Sequence, residues 1–199
     1  MTQAEQKVIE VLSRHGGLAR TRDILASGVH SDTLYRMRDS GSIHCVSRGL
    51  YQLPNTQLDD PDIEAVLKKA PQGVVCLISA LSLHEITTEI PHEVSIALQR
   101  GAEKPRIDYP PVRFFWMSGA AYSEGVETHA KGAASIPVYC VEKTLADCFK
   151  YRNKIGMDVV LEALKLYRER YHFDGNKLSH YARICRVYNI MRPYLEASV

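Results

Sequence analysis

The chain has 199 residues, of which 45% are hydrophobic and 24% charged, and its formal net charge is +2. These values exclude a disordered or low-complexity protein and allow one large core or two small ones. No apolar run reaches the roughly 20 residues that a membrane-spanning helix needs, and Met1 leads into a polar helix rather than a signal peptide, so we expect a cytoplasmic protein with no membrane partner.

The amino-terminal segment predicts short helices separated by glycines. Thr2 and Glu5 have the spacing of a capping box, which predicts that a first helix begins there. A second helix is predicted over residues 19–26, where Ile24 and Leu25 would turn into the core. The glycines that follow each helix favour the left-handed backbone conformation that ends it.

A third helix is predicted to begin at Ser31, a favourable N-cap residue, and to stop at Gly41. Leu34 and Met37 would form its buried face, because residues three apart share one side of a helix. A β-hairpin over residues 43–53, which turns around an Arg-Gly pair, would follow. Residues 1–54 therefore have the layout of a winged helix-turn-helix DNA-binding domain, in which the third helix enters a major groove and the hairpin contacts the backbone.

The outward side chains of this segment are candidates for contacts with double-stranded DNA. Hydroxyl and guanidinium groups meet base edges and phosphates, and a helix start adds backbone N–H groups. The candidates are Arg20, Thr21 and Arg22 on the second helix, Ser31, Thr33, Tyr35, Arg36 and Arg38 on the third, and Arg48 at the hairpin tip. The alternative is that these are ordinary solvated groups, and Asp23, Asp32 and Asp39 weaken the local positive field.

Polar, turn-prone residues 55–61 predict a boundary, followed by a second domain over residues 62–199. Its patterns predict an α+β fold with a small antiparallel or mixed sheet and carboxyl-terminal helices. Strands are predicted at residues 94–98, 113–117, 126–129 and 136–141, and helices at 63–69, 77–83, 142–151, 157–171 and 177–189, with Pro193 preventing any continuation.

Charge is distributed unevenly along the chain. Lys and Arg number 7 against 5 Asp and Glu in residues 1–54, 7 against 12 in residues 55–142, and 11 against 6 in residues 143–199. The basic last third, with its interleaved tyrosines, could bind a polyanion, or it could be a solvated face whose tyrosines pack on neighbouring helices.

The sequence predicts no catalytic site, no metal site and no cofactor. The five cysteines are scattered without a paired spacing, so buried free thiols are expected rather than disulfides or zinc ligands. His84-Glu85 has no second histidine at helical spacing, Asp60 and Asp62 follow no glycine-rich turn, and no phosphate-binding or hydrolase motif occurs. We therefore expect a protein that is not an enzyme.

Three stretches resemble AbiEi-type antitoxins. RGLYQLP at residues 48–54 is similar to the end of their winged helix, and SALSLH at residues 79–84 is similar to a following Ser-Ala-x-x-x-His segment. VEKTLADCF at residues 141–149, followed by Tyr151-Arg152, resembles a stretch of their second domain.

The resemblance implies an antitoxin of a bacterial toxin–antitoxin system that represses its own operon at inverted repeats. It also implies that the second domain counteracts a nucleotidyltransferase-type toxin, with or without a stable complex, and that DNA contacts fall on residues 31–38 and Arg48. Because the first domain is only weakly basic, two copies on two half-sites are favoured.

Two other functions fit the same residues. One is an interaction module that binds protein or RNA, with the basic carboxyl-terminal helices as the contact surface. The other is a ligand-responsive transcriptional regulator whose acidic middle segment is a sensor. Co-purification at high salt would favour the first, and thermal stabilisation by a metabolite would favour the second.

Overall fold

The computed structural model describes residues 1–54, 56, 60–131 and 134–196 as a mixed α+β protein. The chain divides into two compact units. The first comprises Met1–Pro71, Pro105–Pro110 and Ala130–Ser135, and the second comprises Gln72–Lys104, Pro111–His129 and Ile136–Val199. No helix in the described part of the chain is long and apolar enough to cross a membrane.

The first unit combines short helices with a three-stranded antiparallel sheet of order β1-β3-β2. In chain order its elements are α1 (Gln3–Arg14), β1 (Leu18–Arg20), α2 (Thr21–Leu25), α3 (Ser31–Asp39), β2 (His44–Ser47), β3 (Leu50–Gln52) and α4 (Pro61–Lys69). Apolar side chains of α1, α2, α3 and the sheet form one core, which includes Leu12, Ile24, Leu34 and Met37.

The predicted start of α1 is confirmed. The Thr2 side chain accepts a hydrogen bond from the Glu5 N–H at 3.3 Å, and Glu5 accepts one from the Thr2 N–H at 2.7 Å. This reciprocal capping box satisfies two of the N–H groups that a helix start leaves without partners. Leu34 and Met37 are buried on α3 as expected.

The prediction for residues 19–26 was partly wrong. Residues 18–20 form a strand, because they pair with β3, and Leu18 and Ala19 are buried on opposite faces of the sheet. Leu18 packs with Leu50 and Ala65, whereas Ala19 packs in the helical core. The remaining helix is only five residues long, and Leu25, predicted to be buried, is 36% exposed.

The two units divide the chain at a different place from the boundary predicted at residues 55–61. Helix α4 belongs to the first unit, where Ala65 packs against Leu18 and Leu50. The Lys68 ammonium also donates a hydrogen bond to the His15 carbonyl at 2.9 Å. The turn-prone segment therefore leads to a further helix of the first unit, and the predicted domains 1–54 and 62–199 remain a prediction.

The second part of the chain builds a five-stranded mixed sheet of order β6-β5-β4-β8-β7. Strands β5 and β6 are parallel, as are β4 and β8, whereas β4 and β5 are antiparallel. The elements are β4 (Val74–Val75), α5 (Leu77–Leu83), β5 (Val94–Gln99), β6 (Val112–Met117), α6 (Ala120–Ser123), β7 (Val126–Lys131), β8 (Ala134–Tyr139), α7 (Val141–Lys150), α8 (Arg152–Ile155), α9 (Met157–Arg170), α10 (Gly175–Ile184) and α11 (Tyr188–Glu196). Helix α7 is buried along most of its length in the core of this unit.

The carboxyl-terminal helices differ from the prediction in two ways. The helix predicted over residues 177–189 ends at Ile184, because Arg186 adopts a left-handed conformation with φ of 61°. The next helix, α11, then contains Pro193, which was expected to prevent any continuation. Met191 and Leu195 are buried in the core, and this packing outweighs the backbone hydrogen bond that proline cannot make.

The cysteines are free thiols, as expected, but not all of them are buried. Cys76, Cys148 and Cys185 lie in the core of the second unit, Cys140 is half-buried and Cys45 is exposed. Cys45 is exposed because it lies on β2, whose side chains are only partly covered.

Candidate nucleic-acid interface

Helix α3 presents a polar face opposite its buried residues. Tyr35, Arg36 and Arg38 are exposed, and Ser31 and Thr33 are half-buried. Ser31 was expected to cap the helix, but the capping residue is His30, whose Nδ1 accepts a hydrogen bond from the Asp32 N–H at 3.4 Å. Ser31 is instead the first helical residue, so its hydroxyl is not used as the helix cap.

The two arginines of α3 both have acidic partners. Arg36 Nη2 lies 3.3 Å from Glu5 Oε1, which links α3 to the first turn of α1. Arg38 lies over the ring of Tyr35, with 5.2 Å from Cζ to the ring centroid, and pairs with Asp39 at 2.7 Å. The hydrogen bond to Asp39 raises the pKa of the Arg38 guanidinium. A phosphate at this face would therefore compete with carboxylates for both charges.

The tip of the hairpin lies beside the start of α2. The Thr21 N–H donates a hydrogen bond to the Gly49 carbonyl at 3.0 Å, and Gly49 has the positive φ of 75° that the turn requires. Arg48 is exposed and, among the described residues, has no carboxylate within ion-pair distance. The fold thus brings Arg48 close to Thr21, although 27 positions separate them in the sequence.

Arg20 is less accessible than the sequence predicts. It ends strand β1 instead of lying in a helix, and its Nη2 atom is buried with no hydrogen-bond partner among the described residues. Burial lowers the pKa of its guanidinium. Arg22 is exposed and lies 3.4 Å from Asp23. The expected cluster of free N–H groups at the start of α2 is also reduced, because the Thr21 N–H is already used.

Glu5 is a residue of this face that the sequence analysis missed as a charge partner. In the sequence, the position of Glu5 three residues after Thr2 is accounted for by the capping box. No local spacing connects Glu5 with Arg36. The three-dimensional arrangement shows that the carboxylate has both roles. The pKa of Glu5 is lowered, first by the hydrogen bond from the Thr2 backbone and then by Arg36.

In the second unit, the residues that resemble the antitoxin motif form a buried polar cluster rather than a surface. Lys143 Nζ lies 2.5 Å from Asp147 Oδ2, and both side chains are fully buried. The ammonium also lies 4.0 Å from the centroid of the Tyr139 ring, and Cys185 Sγ donates to Asp147 Oδ1 at 3.1 Å. Lys143 is counted in the basic last third of the chain, but it lies in the core and contributes nothing to a basic surface.

The tyrosines of the carboxyl-terminal helices pack mainly on the core of their own unit. Tyr167 is buried, and its hydroxyl contacts Glu142 at 3.0 Å. Tyr151, Tyr181 and Tyr188 are partly buried against the same core, whereas Tyr171 is 39% exposed. This arrangement favours the packing explanation for most of these rings over a stacking surface for nucleic acid.

Comparison with known proteins finds a family match within the first unit. Residues 6–54 match the AbiEi_4 family, described as "Transcriptional regulator, AbiEi antitoxin". The whole fold is similar to the crystal structure of the RV2827C protein from Mycobacterium tuberculosis, with a TM-score of 0.57, 13% identity, and coverage of 98% of this chain and 82% of that chain. No curated protein matches the chain significantly. The similarity to AbiEi antitoxin transcriptional regulators therefore lies in residues 6–54, from α1 to the end of the hairpin.

Proposed function

We propose that this protein is a cytoplasmic antitoxin that binds double-stranded DNA through a winged helix-turn-helix and represses its own operon. The family match of residues 6–54 is the observation that carries this proposal. The order of elements from α1 to β3, with three helices and a sheet of order β1-β3-β2, supports it. In this arrangement α3 is the recognition helix and the hairpin between β2 and β3 is the wing.

The proposed DNA-contacting groups are Thr33, Tyr35, Arg36 and Arg38 on α3, with Arg48 on the wing and Thr21 beside it. Arg48 is the strongest phosphate contact, because it is exposed and has no acidic partner among the described residues. The arginines of α3 bind phosphate only by exchanging a carboxylate for it, so each contributes less affinity. Two copies on an inverted repeat would compensate for this modest charge.

Binding of the full chain to duplex DNA from its own promoter tests the proposal. We expect specific binding that weakens in R48A and in R36A, with the slope of log K against log salt reduced by about 1 for each lost phosphate contact. The matched control is R14A, an exposed arginine of α1 that pairs with Glu10 at 3.8 Å. Absence of specific binding would refute the regulator, and tight binding unaffected by R36A and R48A would refute the interface.

We further propose that the protein counteracts a nucleotidyltransferase-type toxin and has no enzymatic activity of its own. Co-expression with such a toxin from the neighbouring gene is expected to restore growth. Co-purification at a salt concentration that abolishes DNA binding separates neutralisation by direct contact from neutralisation without a stable complex. Growth that is not restored would contradict the antitoxin function while leaving DNA binding intact.

A further inference from the structure

The second unit contains a cleft that the proposed DNA contacts do not use. It has a volume of about 1060 Å³ and opens where β6 ends, beside α6, the end of α7 and the link between α10 and α11. Four cationic side chains line it, those of Arg100, Lys150, Arg152 and Arg186. The volume corresponds to the upper end of the usual range for small-molecule sites.

The charge of the cleft is not balanced by acidic groups. Of the residues that the structure describes, none of those lining the cleft carries a carboxylate, and Arg100, Lys150 and Arg186 have no ion-pair partner. Several exposed arginines elsewhere do have acidic partners, as in Arg14–Glu10, Arg36–Glu5, Arg38–Asp39, Arg113–Glu93 and Arg192–Glu196, whereas Arg48 and Arg183 resemble the cleft cations in having none among the described residues. An anion in the cleft would therefore meet several cations at once without displacing a carboxylate.

Two aromatic rings line the same cleft. Trp116 is 42% exposed, and its indole N–H donates to the Ala102 carbonyl at 3.0 Å, which fixes the ring. Tyr151 is held by edge contact with Phe115, at 5.0 Å between ring centroids. Trp116 is thus exposed but immobilised and Tyr151 is partly buried, and an immobilised exposed ring favours the stacking of a flat heterocycle because little side-chain entropy is lost on binding.

Arg186 occupies a position that favours glycine. It follows the last residues of α10 with φ of 61°, and the Arg186 and Val187 N–H groups donate to the Arg183 and Ala182 carbonyls at 3.0 and 2.8 Å. This is the Schellman ending of a helix, where glycine adopts the left-handed conformation without strain. Arginine is less favourable there, and Arg186 is one of the residues that line the cleft.

We propose that this cleft binds a free nucleoside phosphate, with the phosphates on Arg100, Lys150, Arg152 and Arg186 and the base against Trp116 or Tyr151. Inorganic phosphate alone would make no contact with the aromatic rings, and an uncharged heterocycle would make no ionic contact with the cations. The opposing explanation is that Lys150 and Arg186 only offset the negative ends of α7 and α10. That explanation requires no ligand and does not involve Arg100.

Trp116 is the single tryptophan of the chain and therefore reports directly on the cleft. Titration of the full chain with ATP and CTP is expected to change its fluorescence, with calorimetry giving the same Kd. Adenosine and inorganic tripolyphosphate should each bind at least about tenfold more weakly than ATP, because each supplies only half of the contacts. A single-stranded RNA of ten nucleotides is the comparison for a polymeric ligand.

Variants separate binding from folding. R100Q and R186Q should each weaken ATP binding about tenfold, since each removes charge-assisted hydrogen bonds. R186G should weaken binding equally while leaving the unfolding temperature unchanged or raised. The control is R192Q, an exposed arginine of α11 outside the cleft, which should bind ATP normally.

Three results would overturn the proposal. Absence of ATP and CTP binding would overturn it and leave Lys150 and Arg186 as helix-end charges without a ligand. Equal binding of tripolyphosphate and ATP would make the cleft a simple polyanion site, and RNA binding more than tenfold tighter than ATP at the same cations would make it an RNA surface. These outcomes do not depend on DNA binding by the first unit.

Discussion

The carboxylate of Glu5 lies 3.3 Å from the guanidinium of Arg36, a residue 31 positions later in the chain. The same carboxylate closes the capping box of α1, so one side chain stabilises a helix start and holds a charge of α3. Glu5 therefore competes with any phosphate that approaches Arg36.

Substitution E5Q is expected to strengthen DNA binding about two- to fivefold and to change the salt slope by much less than about 1, because Arg36 keeps its phosphate contact and loses only the competing carboxylate. The amide of glutamine can still accept the hydrogen bond from the Thr2 N–H. Anisotropy titrations on the promoter duplex measure both quantities. E10Q, which frees Arg14 on the exposed side of α1, is the control and should change neither. Weaker binding by E5Q would contradict a phosphate role for Arg36.

Because Lys143 and Asp147 are buried together, we expect that removing one charge destabilises the protein much more than removing both. K143M should lower the free energy of unfolding of the second unit by about 3–5 kcal/mol, because it leaves the Asp147 carboxylate buried without a counter-charge. Burial already raises the pKa of Asp147, against the opposing effect of Lys143. The double variant K143M/D147L should recover most of the loss.

Urea unfolding of K143M, D147L and K143M/D147L gives the free energies of unfolding for a double-mutant cycle. K165M, in the exposed pair Lys165–Glu169 at 3.9 Å, should change stability by less than about 0.5 kcal/mol. A double variant as unstable as K143M alone would show that the pair itself is required.

Gly125 lies at a position where we expect any side chain to destabilise the protein. Its φ is 75°, and a Cβ there would lie 2.9 Å from Lys143 Cβ and 3.1 Å from Tyr181 Cε1. G125A should therefore cost about 2–4 kcal/mol from left-handed strain and overpacking together. G101A has φ of 92° and no atom within 4 Å, so it should cost only about 1 kcal/mol. Thermal unfolding of both variants checks the difference, and equal losses would contradict the close approach.

His84 predicts a pH dependence of stability. Its Nε2 lies 2.7 Å from the Tyr139 carbonyl, which can only accept, so Nε2 carries the proton of the neutral ring. Burial lowers the pKa of the His84 imidazole below the ordinary value of 6.5. At low pH the unfolded chain therefore binds a proton at this histidine more readily than the folded chain does. The stability that the neutral, buried His84 contributes is fully present above about pH 6.5 and is lost as the pH falls through the pKa of the folded protein.

Urea midpoints of the second unit should therefore fall between pH 7.5 and pH 5, and H84Q should flatten this fall. H180Q is the control, because His180 is exposed and contacts Glu124 at 3.1 Å. An unchanged pH profile in H84Q would contradict the assignment.

The packing of α4 predicts where the first unit can be cut. A fragment of residues 1–71 should be more stable than one of residues 1–54 by about 1–3 kcal/mol, because Ala65 covers Leu18 and Leu50. Circular dichroism during thermal unfolding measures both fragments. In the full chain, A65K should also lower the free energy of unfolding of the first unit, because it disrupts the same contact of α4 with Leu18 and Leu50. Equal stability of the two fragments would support the boundary predicted at residues 55–61.

Much of the first unit could be predicted from local patterns. The capping box at Thr2 and the buried faces of α1 and α3 depend on spacings within one helix. Strand β1 could not be predicted in this way, because three residues carry no periodicity and become a strand only by pairing with β3. The same limit explains Leu25, since a five-residue helix turns only Ile24 fully into the core.

Local sequence therefore determined most of the longer helices and which side chains of α3 face outward, since these properties depend on neighbours within a few residues. Tertiary structure decided which charges that are distant in the sequence meet, and which local pairs are buried. Arg36 meets Glu5, the helical neighbours Lys143 and Asp147 are buried together in the core, and the cations of the cleft meet no carboxylate among the described residues. The physical reason is that electrostatic interactions depend on distance and burial in space, and both are established only when distant segments pack together.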